Sequence, residues 1–209
     1  PGSNRGRESS AREDVVVEGG GTENSQKRIT DDLFTHAGDL RALAEDGTPM
    51  LMVCGLYQLV GEYFQTSDGS RLGGIWILGV YTEGHKKRMI GNLVEHTRDF
   101  GDVIGYENHS GQTFLRDGTT CLGRVDHDGT GNNGEDRTEG ARKGNVIGTY
   151  MHGSVLPKNP RLADFLIRTA AERRYGVFTP SDDPALVASL RKVDGMADKA
   201  RRVAQTRPR

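Results

Sequence analysis

Apolar and polar positions in the first third of the chain follow two different periods. Asp14–Val17 is an apolar run typical of a buried strand, and it ends in the turn Gly19–Gly21. Ile29–Glu45 carries apolar residues at helical spacing. Met50–Val53 is a second strand-like run, and Leu56–Tyr63 is expected to continue as a helix. The order strand, helix, strand, helix predicts an α/β fold.

The rest of the chain is strand-rich and then helical. Leu72–Val125 contains several short strand-like runs, and residues 126–145 form a polar loop rich in Gly, Asp and Asn. Val146–Tyr150 predicts another short strand, and Pro160–Tyr175 a helix with one apolar face. The tail from Pro184 to Arg209 has an amphipathic pattern that could dock as a helix.

Composition limits the domain plan and the classes of partner. We expect a disordered or cloning-derived start over residues 1–13, one domain over 14–178 and a helical tail over 179–209. A net charge of −1 gives no electrostatic footprint for nucleic acid or an anionic membrane. No apolar run approaches the roughly 18 residues that a membrane span needs. Two cysteines in unlike contexts favour a reducing, cytoplasmic setting over a disulfide framework.

Two reactive side chains stand where apolar strands end. Cys54 follows the strand Met50–Val53 and precedes Gly55, which is the layout of a nucleophile elbow. His152 closes the run that begins at Val146, and the ends of strands in open α/β sheets are where ligands bind. A thiol with a neighbouring imidazole would support acyl transfer through a thioester.

Each of these features also has a plain structural interpretation. A cysteine at a strand end is usually a small hydrophobe, and a histidine after a strand can be an ordinary core residue. Cys121 lacks a following elbow, and we interpret it as structural. Gly19–Gly21 could cradle phosphate, but no dinucleotide or P-loop motif follows, and bare amides serve an oxyanion equally well. The histidines show no metal-like pairing with cysteine, so no metal is expected.

Longer motifs resemble a known enzyme family. Cys54–Gly61 resembles the nucleophile elbow of class I glutamine amidotransferases in the cobyric acid synthase branch. Gly105–Thr113, Gly131–Asp136 and Gly148–Pro160 resemble, in order, motifs of the glutaminase subunit of lipid II isoglutaminyl synthase. The similarity extends over about residues 15–168. It implies a Rossmann-like or flavodoxin-like fold, with a mostly parallel central sheet flanked by helices.

The resemblance assigns roles to particular residues. Cys54 would attack the side-chain amide of L-glutamine, and His152 would act as general base and then as general acid. Amides of Gly20 or Gly21 and of Gly55 would form the oxyanion hole. Arg88 would grip the α-carboxylate of glutamine, because a guanidinium makes two-pronged contacts with carboxylates; its basic neighbours also allow it to be an ordinary solvated residue.

The resemblance also implies a partner. Ammonia released from glutamine would pass to a Mur-ligase-like (MurT-type) subunit in a heterodimer. That subunit would use ATP and Mg²⁺ to amidate the D-glutamate of lipid II to D-isoglutamine during peptidoglycan synthesis. No cofactor is expected in this chain.

Three departures from the family pattern keep alternatives open. Leu56 stands where the family usually has a small residue, so it could crowd the elbow. Ser154 stands where many class I enzymes have a glutamate, so the acid that orients His152 would come from the partner. The family begins with further strands and a helix, and only residues 4–14 fill that space, so N-terminal elements are expected to be missing. The alternatives are a catalytically silent partner-binding subunit and an amidotransferase of the cobyric acid synthase type.

Overall fold

The computed structural model describes residues 13–19, 30–152 and 154–207. The strands in these ranges are β1 (Val16–Gly19), β2 (Met50–Val53), β3 (Tyr63–Gln65), β4 (Arg71–Gly73), β5 (Val80–Thr97), β6 (Gly101–Leu115), β7 (Gly123–Val125), β8 (Thr138–Glu139), β9 (Ala141–Lys143) and β10 (Val146–Thr149). The helices, besides a helical turn over residues 30–35, are α1 (Ala37–Glu45), α2 (Gly55–Leu59), α3 (Val155–Lys158), α4 (Pro160–Tyr175) and α5 (Pro184–Gln205).

The first sheet carries the parallel core of the fold. Its strand order is β1-β2-β10-β9, with β1, β2 and β10 parallel and β9 antiparallel. Val53 at the end of β2 pairs with Thr149 at the end of β10. Because the two strands are parallel and in register, the residues that follow them emerge at the same edge of the sheet.

The second sheet is built around a long antiparallel hairpin. Its order is β4-β3-β5-β7-β8, with β6 paired to β5. The register of β5 against β6 shifts between Gly84 and Met89, so residues 85–88 form a wide bulge. Bulges re-aim side chains and are common beside functional sites.

Alternate residues of the central strands face two separate hydrophobic clusters. Met50 and Met52 belong to a cluster that also contains α2 residues, whereas Leu51 and Ile147 belong to a cluster that contains Leu162 of α4. Strands covered on both faces are expected to be apolar throughout, as this run of β2 is. The predicted α/β class is therefore confirmed: one sheet contains three neighbouring parallel strands, and the second sheet is mostly antiparallel.

Several element predictions need correction. β1 lies at an edge of its sheet and Val17 is 49% exposed, so it is not a buried strand. The first predicted helix is interrupted at His36, and the helix after Cys54 ends at Leu59, because the chain turns there into β3. Within the predicted strand-rich stretch Leu72–Val125, the apolar run in residues 74–79 forms a turn and no strand, with Trp76 at a φ of 60°.

The predicted tail forms the helix α5, in which Ala197 is buried while Leu190 is 63% exposed. The Arg201 guanidinium ties α5 to the hairpin by donating to the Asp102 carbonyl at 2.7 Å. The division into start, domain and tail stays a prediction, and residues 1–12 lie outside the described part of the chain. None of the helices among the described residues is both long and apolar enough to cross a lipid bilayer.

Candidate active site

Cys54 occupies a sharp turn between β2 and α2. Its φ of 55° and ψ of −111° are rare for a residue with a side chain, and such backbone strain clusters at functional sites. The Cys54 N–H donates to the Thr149 carbonyl at 2.9 Å, and the Cys54 carbonyl accepts the Gln58 N–H at 3.1 Å. The turn is therefore fixed on one side by β10 and on the other by the first turn of α2.

The environment of the Cys54 sulfur favours the neutral thiol at rest. The side chain is half-buried against the first hydrophobic cluster. Burial raises the pKa of the Cys54 thiol, while the Gly55 amide hydrogen bond and the positive charge of Arg88 oppose that rise. Because burial is the largest effect, a nucleophilic thiolate requires a base to remove the proton.

His152 has the protonation state that such a base needs. It follows β10, and its backbone N–H and carbonyl pair with those of Tyr106 in β6 at 2.8 and 3.3 Å. Burial lowers the pKa of His152, and the nearby His109 and Arg88 lower it further. Its Nε2 atom is buried and has no hydrogen-bond partner among the described residues. The imidazole is thus neutral near pH 7, and its Nε2 atom is available to accept a proton.

Arg88 projects from the bulge on β5. Its Nε donates to the Asn108 side-chain oxygen at 2.6 Å, and a terminal nitrogen donates to the Asn108 carbonyl at 3.4 Å. The guanidinium remains solvent-exposed. Its positive charge lowers the pKa of both the Cys54 thiol and the His152 imidazole, so the guanidinium lies within electrostatic range of each.

The predicted oxyanion donors are described only in part. The Gly55 amide at the start of α2 hydrogen-bonds the Cys54 sulfur, which places it beside the nucleophile. A donor in that position can also stabilise the oxyanion that forms on a substrate carbonyl when the sulfur attacks it. Gly20 and Gly21 lie outside the described residues, so their roles stay predictions.

Leu56 packs into the core behind the elbow. Its side chain is 6% exposed and belongs to the first hydrophobic cluster. The turn at Cys54 is formed and the Gly55 amide still reaches the sulfur. Leu56 therefore anchors α2 to the core behind the elbow.

A buried polar network behind the site was not predicted from the sequence. Its carboxyl groups belong to Glu95, Glu107 and Glu139, each with 0% exposed surface. The ring of Tyr150 stacks on His109 with centroids 3.5 Å apart. The only sequence signal was the polar residues inside strand-like runs, such as Glu107 and His109, and a buried position cannot be inferred from that alone.

The described residues offer no cluster of three or more potential metal ligands. Cys121 is half-buried and lines a surface cavity together with Arg98 and Arg142. Its interpretation as a structural cysteine stays a prediction.

Comparison with known proteins decides the family. Residues 3–160 match the CobB/CobQ-like glutamine amidotransferase domain. The chain belongs to this family. The resemblance to class I glutamine amidotransferases of the cobyric acid synthase branch, and with it the assignment to an enzyme family, is confirmed.

Two curated relatives carry the same name, lipid II isoglutaminyl synthase (glutamine-hydrolyzing) subunit GatD. The Staphylococcus aureus protein is 41% identical over 169 residues, which are 81% of this chain and 68% of that protein. The Streptococcus pneumoniae protein is 38% identical over 165 residues, which are 78% of this chain and 63% of that protein. The chain thus spans about two thirds of the length of these relatives.

A solved structure supports the fold alone. It is described as a glutamine amidotransferase, with a TM-score of 0.56 at 16% identity, covering 76% of this chain and 79% of that one. The similarity agrees with the α/β architecture and carries no information on substrate.

Proposed function

We propose that this chain is the glutaminase subunit of a cell-wall amidating enzyme. It hydrolyses L-glutamine through a Cys54 thioester and supplies ammonia to a Mur-ligase-like (MurT-type) partner, which amidates the D-glutamate of lipid II to D-isoglutamine. The observation that carries the proposal is the strained Cys54 turn, with the Gly55 amide on its sulfur and the Arg88 charge shared with His152. The 41% identity to the GatD subunit supports the choice of substrate and partner.

The protonation states set the order of the chemical steps. Cys54 rests as a thiol and His152 as a neutral imidazole, so His152 takes the thiol proton as the sulfur attacks the glutamine side-chain carbonyl. The carbonyl oxygen becomes an oxyanion, which the Gly55 amide stabilises. The imidazolium then protonates the leaving nitrogen, and ammonia departs as the thioester forms. Water, deprotonated by His152, cleaves the thioester to glutamate and restores the thiol.

Arg88 binds the substrate in this scheme. Asn108 holds the guanidinium on one side, and its exposed surface remains available to the glutamine α-carboxylate. The same positive charge favours the thiolate, because it opposes the effect of burial on the Cys54 pKa. Arg88 thus couples binding of the substrate to activation of the nucleophile.

The partner completes the site and carries the energy-requiring step. Because Ser154 stands where many class I enzymes have a glutamate, an acid from the ligase subunit is the group we expect to orient the His152 ring. ATP and Mg²⁺ belong to that subunit, and we expect the complex in the cytoplasm.

A labelling experiment tests the proposal. A glutamine-derived electrophile should modify Cys54 stoichiometrically, and ammonia release from L-glutamine should rise when the ligase subunit is added. Cys121→Ser is the matched control and should retain both results, whereas Cys54→Ser should lose both. A folded chain that shows neither labelling nor ammonia release with the partner present would refute the proposal and favour a silent partner-binding subunit.

A further inference from the structure

Glu139 is a buried carboxylate at the end of β8, directly behind the candidate site. Each of its oxygens accepts the Thr149 hydroxyl at 3.1 Å, and one accepts the Tyr150 backbone N–H at 2.7 Å. Both donors lie where β10 ends. The carboxylate therefore satisfies the polar groups that the strand would otherwise leave unpaired in the interior.

Thr149 transmits this contact to both predicted catalytic residues. Its backbone carbonyl accepts the Cys54 N–H at 2.9 Å, and its hydroxyl oxygen accepts the Met151 N–H at 3.0 Å. Met151 directly precedes His152. The Glu139 side chain thus holds the end of β10. That strand end accepts the Cys54 N–H and leads directly into His152.

A second buried carboxyl lies beside Glu139. Glu95 is 0% exposed, and neither of its oxygens makes a hydrogen bond of normal length among the described residues. Burial raises the pKa of Glu95 well above its usual value, and the neighbouring Glu139 carboxyl raises it further. Two adjacent buried carboxyls do not both ionise. Glu95 is therefore the neutral carboxyl, and Glu139 is the carboxylate that accepts the hydrogen bonds from Thr149 and Tyr150.

We propose that Glu139 is a positioning residue for the glutaminase reaction. Its carboxylate locks the end of β10, so that the Cys54 backbone and the path to His152 keep the geometry that attack requires. The inference rests on the proposed function for its kinetic consequence, but not for the local structure that it predicts.

Two matched substitutions separate positioning from simple burial of a carboxyl. Glu139→Gln keeps the shape and one acceptor oxygen, but it removes the negative charge and replaces the second oxygen that shares the Thr149 hydroxyl with an N–H₂ donor, so we expect kcat to fall about tenfold or more. The KM for glutamine should change less than about threefold, because Arg88 is untouched. Glu95→Gln replaces an already neutral group and can still donate to Glu139, so kcat should stay within about twofold.

The pH profile is a readout that a purely structural role would not move. The titratable groups that face Glu139 are Glu95 from β5, Glu107 from β6, Tyr57 from α2 and Tyr150 after β10. Burial raises the pKa of Glu139 to about 7, although its hydrogen bonds oppose the rise. Protonation turns the acceptor into a donor, so kcat should decline as the pH falls through this region. Glu139→Gln should lose that acid-side dependence.

Hydrogen exchange tests the inference independently of catalysis. In Glu139→Gln the Cys54 amide should exchange about tenfold faster or more, with β5 and β6 amides unchanged. If the unaltered chain releases no ammonia, the proposed function fails. The exchange rate of the Cys54 amide still decides whether Glu139 positions the end of β10. Unchanged exchange and kcat in Glu139→Gln, or equal losses in Glu95→Gln, would overturn it. Should Glu139→Gln fail to fold, Thr149→Val must lose Cys54 protection and Thr149→Ser must restore it.

Discussion

Shortening Leu56 is expected to destabilise the protein instead of activating it. The side chain is 6% exposed and packs in the first hydrophobic cluster directly behind the nucleophile. Leu→Ala in a core costs about 2–5 kcal/mol from lost burial and the remaining cavity. Glycine adds about 1 kcal/mol, because it weakens the helix. Leu56→Gly should therefore cost about 3–6 kcal/mol, a large part of the roughly 5–15 kcal/mol that stabilises a typical domain.

Chemical denaturation of the substituted chains measures this loss, and labelling by a glutamine-derived electrophile measures its effect on the elbow. Leu59→Ala is the matched control, because Leu59 is 0% exposed and ends the same helix, three residues farther along the chain from Cys54 than Leu56 is. Both alanine variants should lose stability, but Leu56→Ala should label Cys54 more slowly when compared under conditions where both are folded.

The opposite result would refute the reasoning. If Leu56→Gly kept its unfolding free energy and released ammonia faster than the parent chain, Leu56 would be crowding the elbow. The silent partner-binding subunit would then describe the unaltered chain better than the glutaminase does.

Three further substitutions probe charge and packing. Arg88→Ala removes the charge that lowers the Cys54 pKa, so the curve of alkylation rate against pH should shift to higher pH and the KM for glutamine should rise; an unchanged curve would exclude that electrostatic role. Gly148→Ala would place a Cβ in the buried Tyr57 ring, so thermal unfolding should reveal a loss of about 1–3 kcal/mol or more. Thr48→Val removes a buried hydroxyl without a partner among the described residues; denaturation should show a gain of about 1 kcal/mol, and a loss would point to a missed partner.

The elements that position the nucleophile were predictable from local sequence. The apolar run of β2, the following Cys54 and the apolar stripe of α4 have strong periodic signals, and the structure contains each of them. Cys54 and His152 could be selected because motifs that resemble the family contain them, and Arg88 only because the resemblance assigns an arginine to its position. Periodicity alone places Cys54 and His152 at strand ends, where each could equally be an ordinary structural residue.

Long-range pairing explains what the sequence could not provide. The width of the bulge that projects Arg88 depends on how β5 registers against β6, and no local pattern specifies that register. The role of Glu139 depends on contact with the end of β10 across a sheet boundary. The exposure of Val17 depends on its position at a sheet edge, which an apolar run by itself does not reveal.

Trapping the acyl-enzyme tests the central claim most directly. The chain, with its ligase partner, is mixed with L-glutamine, quenched in acid within one turnover and digested for mass spectrometry. The account predicts one glutamyl group in thioester linkage on Cys54 and none on Cys121. If the parent chain released ammonia without forming a Cys54 adduct, and Cys54→Ala released ammonia as well, the account would be contradicted.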